Sequence, residues 1–185
     1  DLLFFTDKAQ VYKTKASEFS DTKTSVLGDY VAAKLGMDEG ENAVYMVATK
    51  DYKGIMLFGF ENGKAAKVPL EAYATKTNRK KLTGAFSDKS PVSSIIFLDE
   101  DREVIFTASS GRMLLVHTGA LALKSTRSTQ GVAVMKLKKG HRLFSVTEYR
   151  EGAFNKPQRY RTRSLPALGA LPSAEDSSDE QLSLL

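Results

Sequence analysis

Glu103-Val104-Ile105-Phe106-Thr107-Ala108-Ser109-Ser110-Gly111-Arg112-Met113-Leu114-Leu115-Val116 places two apolar, β-forming runs on either side of a Ser-Ser-Gly-Arg turn. A polar, basic segment follows at Lys124-Ser125-Thr126-Arg127-Ser128-Thr129-Gln130-Gly131. It leads to a third run, Val132-Ala133-Val134-Met135, and a fourth, Leu143-Phe144-Ser145-Val146. Short runs of this kind bounded by turn residues are strands. Residues 103 to 146 therefore predict one small four-stranded antiparallel sheet. Alone, such a sheet would leave an apolar face in water, so it needs a neighbour of its own kind.

The same order of parts recurs upstream. In residues 51–100 the parts are Ile55-Met56-Leu57-Phe58, the turn Glu61-Asn62-Gly63-Lys64, a second run from Ala65 to Tyr73, a basic segment from Ala74 to Lys81, and a last run from Val92 to Leu98. In residues 1–50 they are Leu2-Leu3-Phe4-Phe5, the turn Asp7-Lys8-Ala9-Gln10, then Val11-Tyr12, the segment Asp21-Thr22-Lys23-Thr24, and Val44-Tyr45-Met46-Val47. Four strands per unit, recurring about every 50 residues, is the signature of an all-β, propeller-like array. The turn station falls at Ala9, Gly63 and Gly111. Hairpin turns often demand positive φ, so Ala9 is expected to turn differently or under mild strain.

Composition narrows the function. The chain has 185 residues, no Cys and no Trp, and a net charge of +5. Without Cys there are no disulfides or thiolate metal sites, which agrees with a cytoplasmic setting. No apolar run approaches the roughly 20 residues of a membrane helix. The chain starts at Asp1 on the edge of a strand, and it reads as a piece of a longer protein. Charge rises along the units, from −2 in residues 1–50 to +2 in 51–100 and +6 in 101–150, before a tail of −1. A basic surface points to a polyanionic partner.

The position of the charge is more informative than its sum. Thr22-Lys23-Thr24, Thr75-Lys76-Thr77 and Thr126-Arg127-Ser128 each set a basic residue between two hydroxyls at one station of the repeat. Cations and hydroxyls are the side chains that hold phosphate oxygens. The candidate DNA contacts are Lys23, Lys64, Lys67, Lys76, Arg79, Lys80, Lys81, Arg112, Lys124 and Arg127. On blades around an axis they would form a discontinuous positive track on the rim.

Leu2-Leu3-Phe4-Phe5-Thr6, the segment from Asn62 to Leu70, and Thr129-Gln130-Gly131-Val132-Ala133-Val134-Met135-Lys136-Leu137-Lys138 together resemble the C-terminal domain of the A subunits of DNA gyrase and topoisomerase IV. The resemblance spans residues 1 to about 149. It implies a β-pinwheel, whose four-stranded blades exchange a strand with a neighbour and bend DNA around a basic rim. Three units cannot close an ordinary propeller, so the ring is either incomplete or open. The resemblance further implies an ATP-dependent type II topoisomerase as parent. The implied partners are duplex DNA, the ATPase B subunit, and the remainder of the A subunit. The implied place is the nucleoid. ATP and Mg²⁺ would act in other domains, with no cofactor and no catalytic residue here.

Two family motifs bear on the parent. The Gln-Arg-Arg-Gly-Gly-Lys-Gly type motif of supercoiling gyrases has no match; Lys80-Lys81-Leu82-Thr83-Gly84 and Ser128-Thr129-Gln130-Gly131 come nearest. Either it lies before Asp1 or the parent relaxes and decatenates. Arg159-Tyr160-Arg161-Thr162 looks superficially like the family's catalytic tyrosine motif, but its context is a Pro- and Arg-containing tail, so Tyr160 reads as a tail residue. His117 and His141 read as surface or structural residues, and no metal site is expected. Asp38-Glu39-Gly40-Glu41 and Asp99-Glu100-Asp101 read as solvated turns. Residues 151–172 are expected to pack along a blade, and the acidic stretch 173–185 to be disordered. The leading expectation is sequence-independent duplex binding and wrapping. The alternative is a β-propeller-like protein-interaction scaffold.

Overall fold

The computed structural model describes residues 1–75 and 80–176. The strands, in chain order, are β1 (Leu2–Thr6), β2 (Gln10–Thr14), β3 (Ala43–Ala48), β4 (Ile55–Phe60), β5 (Lys64–Pro69), β6 (Lys81–Thr83), β7 (Val92–Leu98), β8 (Glu103–Ala108), β9 (Met113–His117), β10 (Val132–Ala133) and β11 (Leu143–Glu148). One short helix, α1 (Val31–Leu35), interrupts the first unit. The strands form three antiparallel sheets, with the orders β3-β1-β2-β6, β10-β5-β4-β7 and β11-β8-β9.

The hairpins form where the apolar runs predict them. β4 shows why its sequence is apolar throughout rather than alternating. Met56, Phe58 and Phe60 pack toward the first sheet with Leu3, Phe5 and Val11. Leu57 points the other way, into a second cluster with Val104, Phe106, Leu114 and Val146 of the third sheet. A strand buried on both faces reads as a continuous hydrophobic run. The second sheet is thus sandwiched between the first and the third. Among the described residues no apolar cluster joins the first sheet to the third, so the row is open.

The four runs of residues 103–146 do not share one sheet. β10 pairs with β5 of the preceding unit, Val132 opposite Ala65, and β6 likewise pairs with β2, Leu82 opposite Val11. The crossing starts early. After the 3₁₀ turn Thr118–Ala120, the Lys124 amide donates to the Lys67 carbonyl at 2.9 Å, and this fixes the segment on β5 rather than returning it to β9.

At the turn station, Ala9, Gly63 and Gly111 all adopt positive φ, at 53°, 82° and 78°. Ala9 therefore makes the same type of turn as the glycines, under the strain of a left-handed L-residue. The acidic cluster 38–41 is also more than a solvated turn. Glu41 is buried, accepts from Thr6 Oγ1, and takes Tyr12 Oη at 2.8 Å and the Asp38 amide at 3.0 Å.

The tail packs on the third sheet. Phe154 and Tyr160 join Met113 and Leu115 in a small core, the two rings 4.2 Å apart. Asp176 is buried there, so the ordered tail extends past Pro172 and takes in residues 173–176. The rest of the acidic stretch lies outside the described residues.

Candidate nucleic-acid interface

Each exchanged segment lies along the edge of the preceding sheet, and this positions the basic residues. On the first sheet the Lys13 amide donates to the Lys80 carbonyl at 2.7 Å, and Lys13 Nζ donates to Thr75 Oγ1 at 2.7 Å. On the second, Leu123 bridges Lys67 and Lys124 follows it. Lys23, Lys80 and Lys124 are exposed, and their side chains have no hydrogen-bond or ion-pair partner among the described residues. Lys64 is half-buried and, among the described residues, its side chain reaches only Gln130 Oε1, at 3.3 Å. These four keep charge that a phosphate could neutralise.

The other candidates divide. Lys67 is buried and points into the protein. Its Nζ lies 2.6 Å from Asp101 Oδ1 and donates to the Thr118 carbonyl at 3.1 Å, tying β5 to the start of the third unit. Burial pushes the Asp101 carboxyl up, but hydrogen bonds from Lys67 and from the Thr118 hydroxyl outweigh it and hold the group below its ordinary value. Lys67 therefore has a structural role, its charge taken up by Asp101, and the Asp99–Asp101 turn is anchored rather than freely solvated. The signal was in the sequence: Lys67 interrupts the small apolar run Ala65-Ala66-Lys67-Val68.

Lys81 pairs with Asp38 at 2.7 Å and lies over the Tyr12 ring. Arg112 Nη1 donates to the Gly169 carbonyl at 2.9 Å, and Arg127 Nη1 to the Ala72 carbonyl at 3.0 Å. These two arginines are half-buried and keep their charge, but backbone acceptors fix them. Lys76 and Arg79 lie outside the described residues. Sequence reasoning passed over Lys136, Lys138 and Lys139, which are exposed beyond β10. They follow an apolar run rather than filling the Thr-basic-Thr station.

Among the described residues no group of three or more His, Cys, Asp or Glu is arranged to hold a metal. His117 and His141 are exposed; Nδ1 of His117 accepts from the Gly119 amide at 3.1 Å, and Nδ1 of His141 lies 3.2 Å from Ser109 Oγ. Tyr160 is 1% exposed and donates to Asp176. Burial, together with that carboxylate, raises its pKa, the reverse of what an activated nucleophile needs.

The repeat and its exchanged strands can now be set beside known proteins. The family model for the DNA gyrase C-terminal domain, a β-propeller, matches residues 1–25 and 102–148. The chain resembles the C-terminal domain of the DNA gyrase A protein. It is 26% identical over 163 residues to the DNA gyrase A protein of Streptomyces coelicolor, which covers 83% of this chain and 19% of that protein. A probable chloroplastic/mitochondrial DNA gyrase A protein of Oryza sativa subsp. japonica is 25% identical over 167 residues, 89% of this chain and 18% of its own length. The chain thus spans about a fifth of these relatives. In fold it is similar to the C-terminal domain of DNA topoisomerase IV, with a TM-score of 0.73 at 22% identity over 92% of this chain and 57% of the other. It is also similar to the gyrase A C-terminal domain, with a TM-score of 0.64 at 19% identity over 91% and 58%. The architecture is that of the β-pinwheel domains of this family.

Proposed function

We propose that this chain binds duplex DNA without reading its sequence and curves it along the received edges of its sheets. It would do so as the wrapping domain of a type II topoisomerase A subunit. The observation that carries the reading is that each exchanged segment lies along a neighbour's edge and there presents cations, Lys80 and Lys124, that no acidic side chain neutralises among the described residues. Such groups release counterions when they meet phosphates. Bending 20–30 base pairs by 40–90° costs on the order of 1–6 kcal/mol, offset by further contacts along the track. Within the parent enzyme the captured duplex would be handed to the rest of the A subunit for strand passage, powered by ATP at the B subunit with Mg²⁺ acting elsewhere. The setting would be the cytoplasm, at the nucleoid.

The test is binding to duplexes of unrelated sequence carrying fluorophores at both ends. Equal affinities and a shortened end-to-end distance on binding are expected. Strong preference for one sequence, or binding without shortening, would remove wrapping. No binding at low salt would leave the protein-interaction scaffold as the better account.

A further inference from the structure

The open edge of the third sheet is occupied. β9 is the counterpart of β5: Met113 and Ala65 each lie two residues after the turn glycine, and Leu115 and Lys67 four residues after it. On β5, Leu123 bridges Lys67 in parallel fashion and Val132 pairs with Ala65 antiparallel. On β9, Arg161 bridges Leu115 in parallel fashion and Ala170 pairs with Met113 antiparallel. The two segments span the same distance along the chain, since 123 to 132 and 161 to 170 are equal intervals.

The residue before the antiparallel partner matches too. Gly131 and Gly169 have φ of 70° and 75°. A Cβ on Gly131 would lie 1.9 Å from the Ala65 carbonyl oxygen, and one on Gly169 would lie 2.6 Å from that of Met113. Two glycines pressed in the same way on equivalent carbonyls place the tail in the register of an exchanged segment. Residues 156–171 thus have the form of a fourth unit reduced to its exchanged part, with no hairpin of its own.

The tail also carries the chemistry of that part. Thr162-Arg163-Ser164 sets a basic residue between hydroxyls, as Thr126-Arg127-Ser128 does, and lies within two residues of it in the shared register. With Arg161, His117 and Ala120 these three residues line a groove of about 480 Å³. Arg161 is committed to Glu103, at 2.7 and 2.8 Å. Arg163 is exposed and has no hydrogen-bond or ion-pair partner among the described residues. Arg159 is exposed and, among the described residues, uses only Nε, toward the Leu171 carbonyl at 3.2 Å.

We propose that the tail segment Lys156–Leu171 is a surrogate exchanged segment that extends the phosphate-binding track onto the third sheet through Arg159 and Arg163. This rests on the DNA-binding reading above. Its ligand is the sugar-phosphate backbone of duplex DNA, taken along the received edge as on the first two sheets.

The test measures binding of the full 185-residue chain to a mixed-sequence duplex over a salt series, comparing Arg159→Ala/Arg163→Ala, Gly169→Ala and Lys124→Ala. If both arginines meet phosphates, the slope of log K on log salt should shrink by up to about 1.8, at roughly 0.9 per contact. Gly169→Ala should lift the segment from β9, speed hydrogen exchange at the Met113 and Leu115 amides, and reproduce the loss. A slope unchanged in the arginine variant, with Lys124→Ala still weakening binding, overturns the tail's role and leaves the DNA reading standing. Unchanged binding in all three variants overturns both.

Discussion

Two sets of lysines face each other across the received edges of the first two sheets. On the strand side are Lys13 and Lys67; on the exchanged side are Lys80 and Lys124. Backbone hydrogen bonds of 2.7 and 2.9 Å join them in the pairs Lys13–Lys80 and Lys67–Lys124. The strand lysines turn inward and hold the units together. Lys67 does so through Asp101, and Lys13 through Thr75 and the Tyr52 ring. Burial first, and then the charge of Lys15, lowers the Lys13 pKa. The exchanged lysines point to solvent, with no partner among the described residues. One residue type, within hydrogen-bonding distance of itself along the backbone, thus fastens the scaffold on one side and offers charge on the other. Within each of these two pairs, the lysine on the donated segment is the one left free to meet a phosphate.

Changes on the strand side should act on stability. Gly63→Ala forces an L-residue into a left-handed turn and sets its Cβ 2.3 Å from the Met135 carbonyl oxygen of the donated segment. It should cost about 2–3 kcal/mol in urea denaturation. Ala9 tolerates the same kind of φ, so a loss much smaller than this would show that the exchanged segment yields easily. Lys67→Ala should cost about 2 kcal/mol: breaking a fully buried pair costs roughly 3–5 kcal/mol, but Asp101 is 36% exposed and recovers part of its hydration. Lys124→Ala, by contrast, should stay within about 0.5 kcal/mol of the parent. Equal losses at Lys67 and Lys124 would erase the division between the two sides.

A smaller effect is expected where the tail meets the last sheet. The hydrogen bond from Tyr160 outweighs burial and, with further bonds from Asn155 and Ser173, holds the Asp176 carboxyl down to about 2. A depressed carboxylate stabilises docking above its ordinary pKa, and that contribution is lost as the pH falls from the ordinary value through about 2. Asp176→Asn should speed tryptic cleavage at Arg159 and Arg163 at neutral pH without changing the global denaturation midpoint. As the pH drops toward about 2, docking should weaken in the parent chain and change little in the variant. Cleavage rates that match in the two proteins would mean that Tyr160 and Phe154 alone secure the tail.

The hairpins were legible because runs such as Ile55–Phe58 and Val104–Phe106 are short, apolar and bounded by turns. Their sheet partners were not. Val132 and Ala133 would suit any strand edge, and only the crossing at Lys124 decides that they join β5. The candidate contacts divided for a related reason. Composition shows that Lys67 is basic, but its direction depends on Asp101, 34 residues away, and on the depth at which β5 is buried. The Thr162-Arg163-Ser164 station stands in the sequence in plain form. It escapes a search for whole units because no hairpin precedes it; it is only the piece that a neighbour receives.

The central claim is that the donated-segment lysines Lys80 and Lys124 belong to the DNA track while the strand lysine Lys67 does not. It is tested most directly by measuring duplex affinity over a salt series for Lys80→Ala/Lys124→Ala and for Lys67→Met, each under conditions where the protein is folded. The account predicts that the double variant shrinks the slope of log K on log salt by up to about 1.8 while Lys67→Met leaves it unchanged. A slope that shrinks in Lys67→Met, or one that the double variant leaves intact, would contradict it.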